Sequence, residues 1–88
     1  MKQLVYIIQS ETTGRYYIGS THDPALRLER HNEGWTRSTK GRGPWKLVYV
    51  EQCEDKLEAI KREREIKKRK SKKYIEQLVH AGGRPVPM

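Results

Sequence analysis

Eighty-eight residues are enough for one domain with a modest core and leave little for a second. Nineteen Lys and Arg against eleven Asp and Glu give a net charge of +8; this surplus favours polyanions, nucleic acid first, with a basic surface serving only solubility or weak RNA contact as the plain alternative. The single cysteine, Cys53, excludes an intramolecular disulfide and a thiolate zinc site, and no apolar run approaches the roughly 18 residues of a membrane span.

The chain opens on Leu4-Val5-Tyr6-Ile7-Ile8, rich in β-branched and aromatic residues, without a leader-like basic and apolar stretch, so a soluble cytoplasmic protein with no membrane role is expected. Ser10-Glu11-Thr12-Thr13-Gly14 supplies turn chemistry before a second strand at Tyr16-Tyr17-Ile18. A turn centred near Glu11 and Thr12 sets Tyr6 opposite Tyr17, with both phenols on one face of the hairpin.

Asp23 and Pro24 suit the cap and first turn of a helix running to about Asn32 and ended by Gly34. Arg27 and His31, four apart, share a face of it, and Ala25 and Leu28 are expected to point toward the sheet. Residues 33–44 read as a loop in which Arg37, Lys40 and Arg42 are interleaved with Ser38 and Thr39, a pattern suited to phosphate oxygens. Trp35 and Trp45 bracket it. Trp45 leads into a strand at 47–50 and is expected to anchor the core; stacking on bases is the other role open to a tryptophan.

Asp55 and Glu58 form a capping-box-like pair ahead of a helix to about Lys70. Its apolar stripe, Leu57, Ala59, Ile60 and Ile66, holds Glu63 near the middle, where a carboxylate is out of place. The bland account of Glu63 is a pair with Lys67 one turn on. Ser71 caps a last helix bearing Ile75, Leu78 and Val79, with Gly82-Gly83 ending it; residues 1–80 form a single domain and 81–88 a tail. The Lys- and Arg-rich run at 61–73 is by default a solvated helix face.

Val5-Tyr6-Ile7, Tyr17-Ile18-Gly19, Arg27 with His31, and the helix Ala59-Ile60-Lys61-Arg62-Glu63-Arg64-Glu65-Ile66-Lys67 together resemble the GIY-YIG nuclease superfamily. The likeness is to its small stand-alone bacterial members, which are similar to the N-terminal nuclease domain of the excision-repair endonuclease. It extends from about Leu4 to about Lys73. It implies an α+β (α/β) fold with a small three-stranded antiparallel sheet flanked by helices. It also implies a catalytic set of Tyr6, Tyr17, Arg27, His31 and Glu63, with Glu63 the metal ligand. Two departures stand out: no asparagine follows the helix bearing Glu63, and no DNA-targeting module accompanies the domain.

The residue types suit phosphodiester hydrolysis. Glu63 offers hard oxygen to a single Mg²⁺ or Mn²⁺, which keeps most of its waters. Arg27 is always protonated and presents a donor fork to phosphate. Tyr6 and Tyr17 together orient and deprotonate the nucleophilic water, with His31 a rival base or a phosphate donor. Arg37, Lys40, Arg42 and Lys67 are the expected nucleic-acid contacts. Gly19 is expected to let backbone or phosphate come close, or to serve a plain turn, while His22 and His80 lack partners at useful spacing.

The expected function is a metal-dependent DNA endonuclease, structure-specific for branched, flapped or damaged DNA in repair or recombination, with a protein partner helping to select substrate. The rivals are a basic nucleic-acid-binding module that retains the fold without cleavage, and a small RNA-associated protein.

Overall fold

The computed structural model describes residues 3–69 and 71–80. Its elements are β1 (Gln3–Ser10), β2 (Tyr16–Thr21), α1 (Pro24–Glu33), β3 (Trp45–Cys53), α2 (Lys56–Arg69) and α3 (Lys72–His80). The strands form one antiparallel sheet in the order β2-β1-β3, the three-stranded arrangement expected from the sequence. The helix end at Gly82-Gly83 and the tail lie outside the described residues.

The central strand explains its own composition. Both faces of β1 are covered, so Leu4, Val5, Tyr6, Ile7 and Ile8 are all buried and the segment reads as a continuous apolar run rather than an alternating one. On one face Val5, Ile7, Ile18, Tyr49 and Cys53 pack against Ala59 and Ile66 of α2 and Ile75 of α3. On the other, Tyr6, Ile8 and Trp45 form a smaller cluster with Tyr17, Leu28 and Leu47 against it.

The hairpin register differs from the expected one by two residues. Tyr6 faces Gly19, and Tyr17 faces Ile8. Ser10 Oγ accepts from the backbone N–H of Thr12 (3.2 Å) and Thr13 (3.0 Å), and Gly14 takes a left-handed φ of 75°, so the turn centres later than Glu11. Because side chains alternate with period two, a two-residue shift keeps both phenols on one face and makes them diagonal rather than direct neighbours. A register shift of β3 against Ile7 and Ile8 leaves Val48 extra. This bulge turns Trp45 and Leu47 toward the tyrosine face and Tyr49 and Cys53 toward the other.

The α1 signals act as expected: Asp23 Oδ1 accepts from the Leu26 N–H at 3.1 Å, and Gly34 closes the helix at φ 86°. Leu28 packs inward, but Ala25 is exposed and does not meet the sheet. In α2, Asp55 Oδ1 caps the Glu58 N–H at 2.8 Å. Its buried stripe is narrower than the sequence suggests: Ala59 and Ile66 are buried while Leu57 is 63% exposed. In an ideal helix Leu57 lies about 160° around from Ala59, whereas Glu63 lies about 40° from it, at the edge of the buried strip. Ser71 Oγ accepts from the Tyr74 N–H at 3.1 Å to open α3.

Candidate active site

Glycine at position 19 makes the site's first contact possible. Tyr6 faces it across the β1–β2 pair, and a Cβ there would meet the Tyr6 hydroxyl at 2.5 Å and Cζ at 2.6 Å. The ring of Tyr6 therefore lies over bare backbone at the middle of β2, not at a turn, and is 0% exposed. Its centroid is 6.4 Å from that of Tyr17, and the imidazole of His31 sits 4.8 Å from Tyr17 and 5.8 Å from Tyr6, centroid to centroid.

His31 comes from α1 and is 2% exposed. Its Nε2 lies 2.8 Å from the Tyr6 hydroxyl and its Nδ1 lies 2.9 Å from Thr39 Oγ1. Thr39 Oγ1 in turn donates to the Thr36 carbonyl at 3.2 Å. A hydroxyl has one proton to give and a carbonyl none, so Thr39 accepts from His31 Nδ1–H. Nε2 is then the acceptor, and the Tyr6 O–H donates to it. Burial, and secondly the charge of Arg27, lower the His31 pKa from 6.5 to about 4, so the ring is neutral at physiological pH.

Arg27, one turn before His31 on α1, lies beside the Tyr6 hydroxyl. Burial pushes the Tyr6 pKa up, the Arg27 guanidinium pulls it down, and the charges of Tyr17 and Glu63 raise it again. Tyr6 thus feels all three of the other expected site groups besides His31. Arg27 Nε is buried and has no hydrogen-bond partner among the described residues, an orphan donor of the kind that native proteins rarely leave unexplained.

Glu63 approaches from the other helix. The stripe of α2 packs on the opposite sheet face, but α2 also runs against β2, the free edge of the sheet, and there Lys67 Nζ lies 6.0 Å over the Tyr17 ring. The Glu63 side chain is 21% exposed, and its Oε2 accepts from Lys67 Nζ at 2.7 Å. The pair named as the bland account of Glu63 does form. Lys67 is itself half exposed, and an i,i+4 pair of this kind contributes about 0.3–0.5 kcal/mol, little against competition from a cation or a phosphate.

The loop after α1 is tied down by groups that attract no notice in the sequence. Trp45 is buried and its Nε1–H donates to the Thr39 carbonyl at 3.0 Å. Asn32 holds both backbone groups of Trp45, accepting from its N–H at 2.7 Å and donating to its carbonyl at 3.2 Å. Ser10 Oγ reaches the Arg42 carbonyl at 2.6 Å. These bonds leave Arg37, Lys40 and Arg42 exposed, and they leave Trp35 exposed as well.

Comparison with known proteins bears directly on this arrangement. A family model described as the GIY-YIG catalytic domain matches residues 2–75. The chain belongs to the GIY-YIG nuclease family. It is 47% identical over 64 residues to a UPF0213 protein of Staphylococcus aureus strain Mu3 and equally to one of strain Mu50, the match covering 72% of this chain and 77% of each relative. The solution NMR structure of a UPF0213 protein from Bacillus halodurans is similar at 37% identity with a TM-score of 0.58, over 97% of this chain and 89% of that one.

Within the GIY-YIG frame, the two residues that sequence reasoning passed over are Thr39 and Asn32. Thr39 reads as one polar residue in a basic loop, and only its contact with His31 gives it meaning. Asn32 reads as the last turn of a helix, and only the return of the chain at Trp45 gives it partners.

Proposed function

We propose that this GIY-YIG chain is a divalent-metal-dependent DNA endonuclease. The observation that carries the reading is the buried, partnerless Nε of Arg27 beside two phenols and a part-buried carboxylate. A guanidinium kept in that condition suits an oxyanion that completes its fork, and a scissile phosphate does so bidentately.

The donor set fits one hard cation. Among the described residues no three His, Cys, Asp or Glu groups converge, so Glu63 would hold the metal as a lone carboxylate. Mg²⁺ or Mn²⁺ suits such a site, keeping most of its waters and sharing phosphate oxygens. When bound, the cation would offset charge on the phosphate and on the leaving 3′ oxygen.

The protein's own groups divide the remaining work. Tyr6 has no exposed surface, so it supports rather than meets substrate: its O–H is committed to His31 Nε2 and its oxygen faces Arg27. Tyr17 is only part-buried and is the phenol that reaches the water. His31, neutral and locked between Tyr6 and Thr39, fixes the geometry of both rings instead of contacting phosphate. Arg37, Lys40 and Arg42 on one side and Lys67 on the other flank the pocket as phosphate contacts. No dedicated recognition helix or targeting module accompanies them, which favours structure-specific cutting of branched, flapped or damaged DNA, a repair or recombination role in which a protein partner helps select the substrate.

Flap, splayed-arm and linear DNA incubated with Mg²⁺ or Mn²⁺ test this. Wild type should cut a branched substrate in preference to a linear one. Arg27→Ala and Glu63→Gln should each lower turnover by about 10²–10³-fold, and Tyr17→Phe by about 10²–10⁴-fold, with unchanged circular dichroism. Identical products from wild type and variants would overturn the reading.

A further inference from the structure

We infer that the indole of Trp35 is a stacking platform for an unpaired nucleobase, and that the substrate therefore carries a single-stranded or frayed segment next to the tyrosine pocket. The inference rests on the nucleic-acid part of the proposed function and deepens it.

The two tryptophans that bracket the loop have opposite fates. Trp45 is 5% exposed with its Nε1–H satisfied inside the protein, while Trp35 is 68% exposed. Large aromatic surface left in water is uncommon without a partner. Nor is Trp35 loosely attached. It follows Gly34, whose left-handed conformation ends α1, and its N–H donates to the Arg30 carbonyl at 3.0 Å. The Arg30 guanidinium sits over the ring at 4.7 Å from its centroid, a cation–π contact that braces the indole from one side. An aromatic ring pre-oriented in this way loses little freedom when a second flat group covers it.

The surroundings identify that group. Arg30, Arg37, Lys40 and Arg42 gather around the platform against the acids Glu29 and Glu33, both of them exposed on α1. The excess of positive charge suits an anionic chain with flat, apolar units, which is what a single nucleic-acid strand presents. A base inside a duplex is stacked on both faces and cannot offer one to the indole. The platform is also held in register with the pocket. Arg30 lies three residues beyond Arg27 on α1, and the loop that follows Trp35 is bonded to His31 through Thr39. A base on Trp35 thus belongs to the same strand as a phosphate on Arg27.

The two tryptophans also make the test direct. A single-stranded oligonucleotide and a blunt duplex of the same sequence are titrated without divalent metal, reading intrinsic emission and the anisotropy of a labelled strand. The single strand should quench the emission, and Trp35→Ala should abolish the quench, since the remaining buried Trp45 is out of reach. The same substitution should weaken single-strand binding about tenfold and leave duplex binding unchanged, and Trp35→Phe should restore most of the loss. Equal losses on both DNAs, unaltered single-strand binding in Trp35→Ala, or binding of a protein partner in place of DNA would overturn the inference. Intact cleavage with a silent Trp35 would refute the platform alone; a Trp35-dependent quench in a protein whose Glu63 and Arg27 variants cut like wild type would refute the nuclease reading alone.

Discussion

The two faces of the sheet are built on opposite plans. On one, Val5, Ile7, Ile18, Ala59, Ile66 and Ile75 form a dry core, and charge is kept to a rim where Arg62 bridges Glu51 at 2.8 Å and Glu65 at 2.7 Å. On the other, Tyr6, His31 and Thr39 form a buried polar chain with Arg27 against it, among few aliphatic side chains. The first face gains stability from area removed from water. The second satisfies its buried groups one by one and leaves a single donor, Arg27 Nε, without a partner among the described residues. A small domain can maintain such a polar face because the other supplies most of the cohesion.

Ile66→Ala tests the dry face at its strongest point. It should cost about 2–5 kcal/mol in urea unfolding and leave turnover per folded molecule unchanged. Acid tests the polar face. The folded His31 pKa of about 4 lies below the unfolded value near 6.5, so the unfolded chain binds more protons between the two. Stability is then intact above about pH 6.5 and falls as the pH drops toward 4, by up to about 3 kcal/mol. Arg27, Tyr6 and Tyr17 face the ring, and of these Arg27 opposes its protonation. His31→Gln should flatten that part of the pH–stability curve, and an unchanged slope would dissociate the ring from it.

Gly19→Ala probes the seam between the two faces. The new methyl meets the Tyr6 ring with no room to spare, so it should cost about 1–3 kcal/mol and lower activity beyond that loss by displacing Tyr6 from His31. The smallest effect belongs to Lys67→Gln, which should change stability by no more than about 0.5 kcal/mol. Its removal should leave Glu63 freer to accept metal, and equal metal dependence in the variant and wild type would show that the Lys67 pair does not compete.

Local chemistry made much of the frame readable in advance. Asp23, Pro24 and Gly34 delimit α1 through interactions that span four residues or fewer, and the apolar runs mark β1 and the strand leading from Trp45 because burial on a sheet demands them. The residue types of the candidate site were legible too, since Tyr6, Tyr17, Arg27, His31 and Glu63 stand at spacings that resemble one family, and the sharing of a face by the two phenols followed from period-two alternation alone.

What the chain order could not disclose are the relations between elements. The hairpin register depends on where Ser10 accepts its hydrogen bonds, and a choice between two turns two residues apart leaves the same alternation pattern. The exposure of Ala25 and Leu57 depends on which arc of each helix meets the sheet. Thr39 and Asn32 acquire partners only when a loop returns to α1, and Gly19 acquires its reason only when Tyr6 lies across it. Periodicity and capping are short-range and are written in neighbouring residues; register, tautomer and the meeting of side chains from distant elements are decided by packing, which no local pattern encodes.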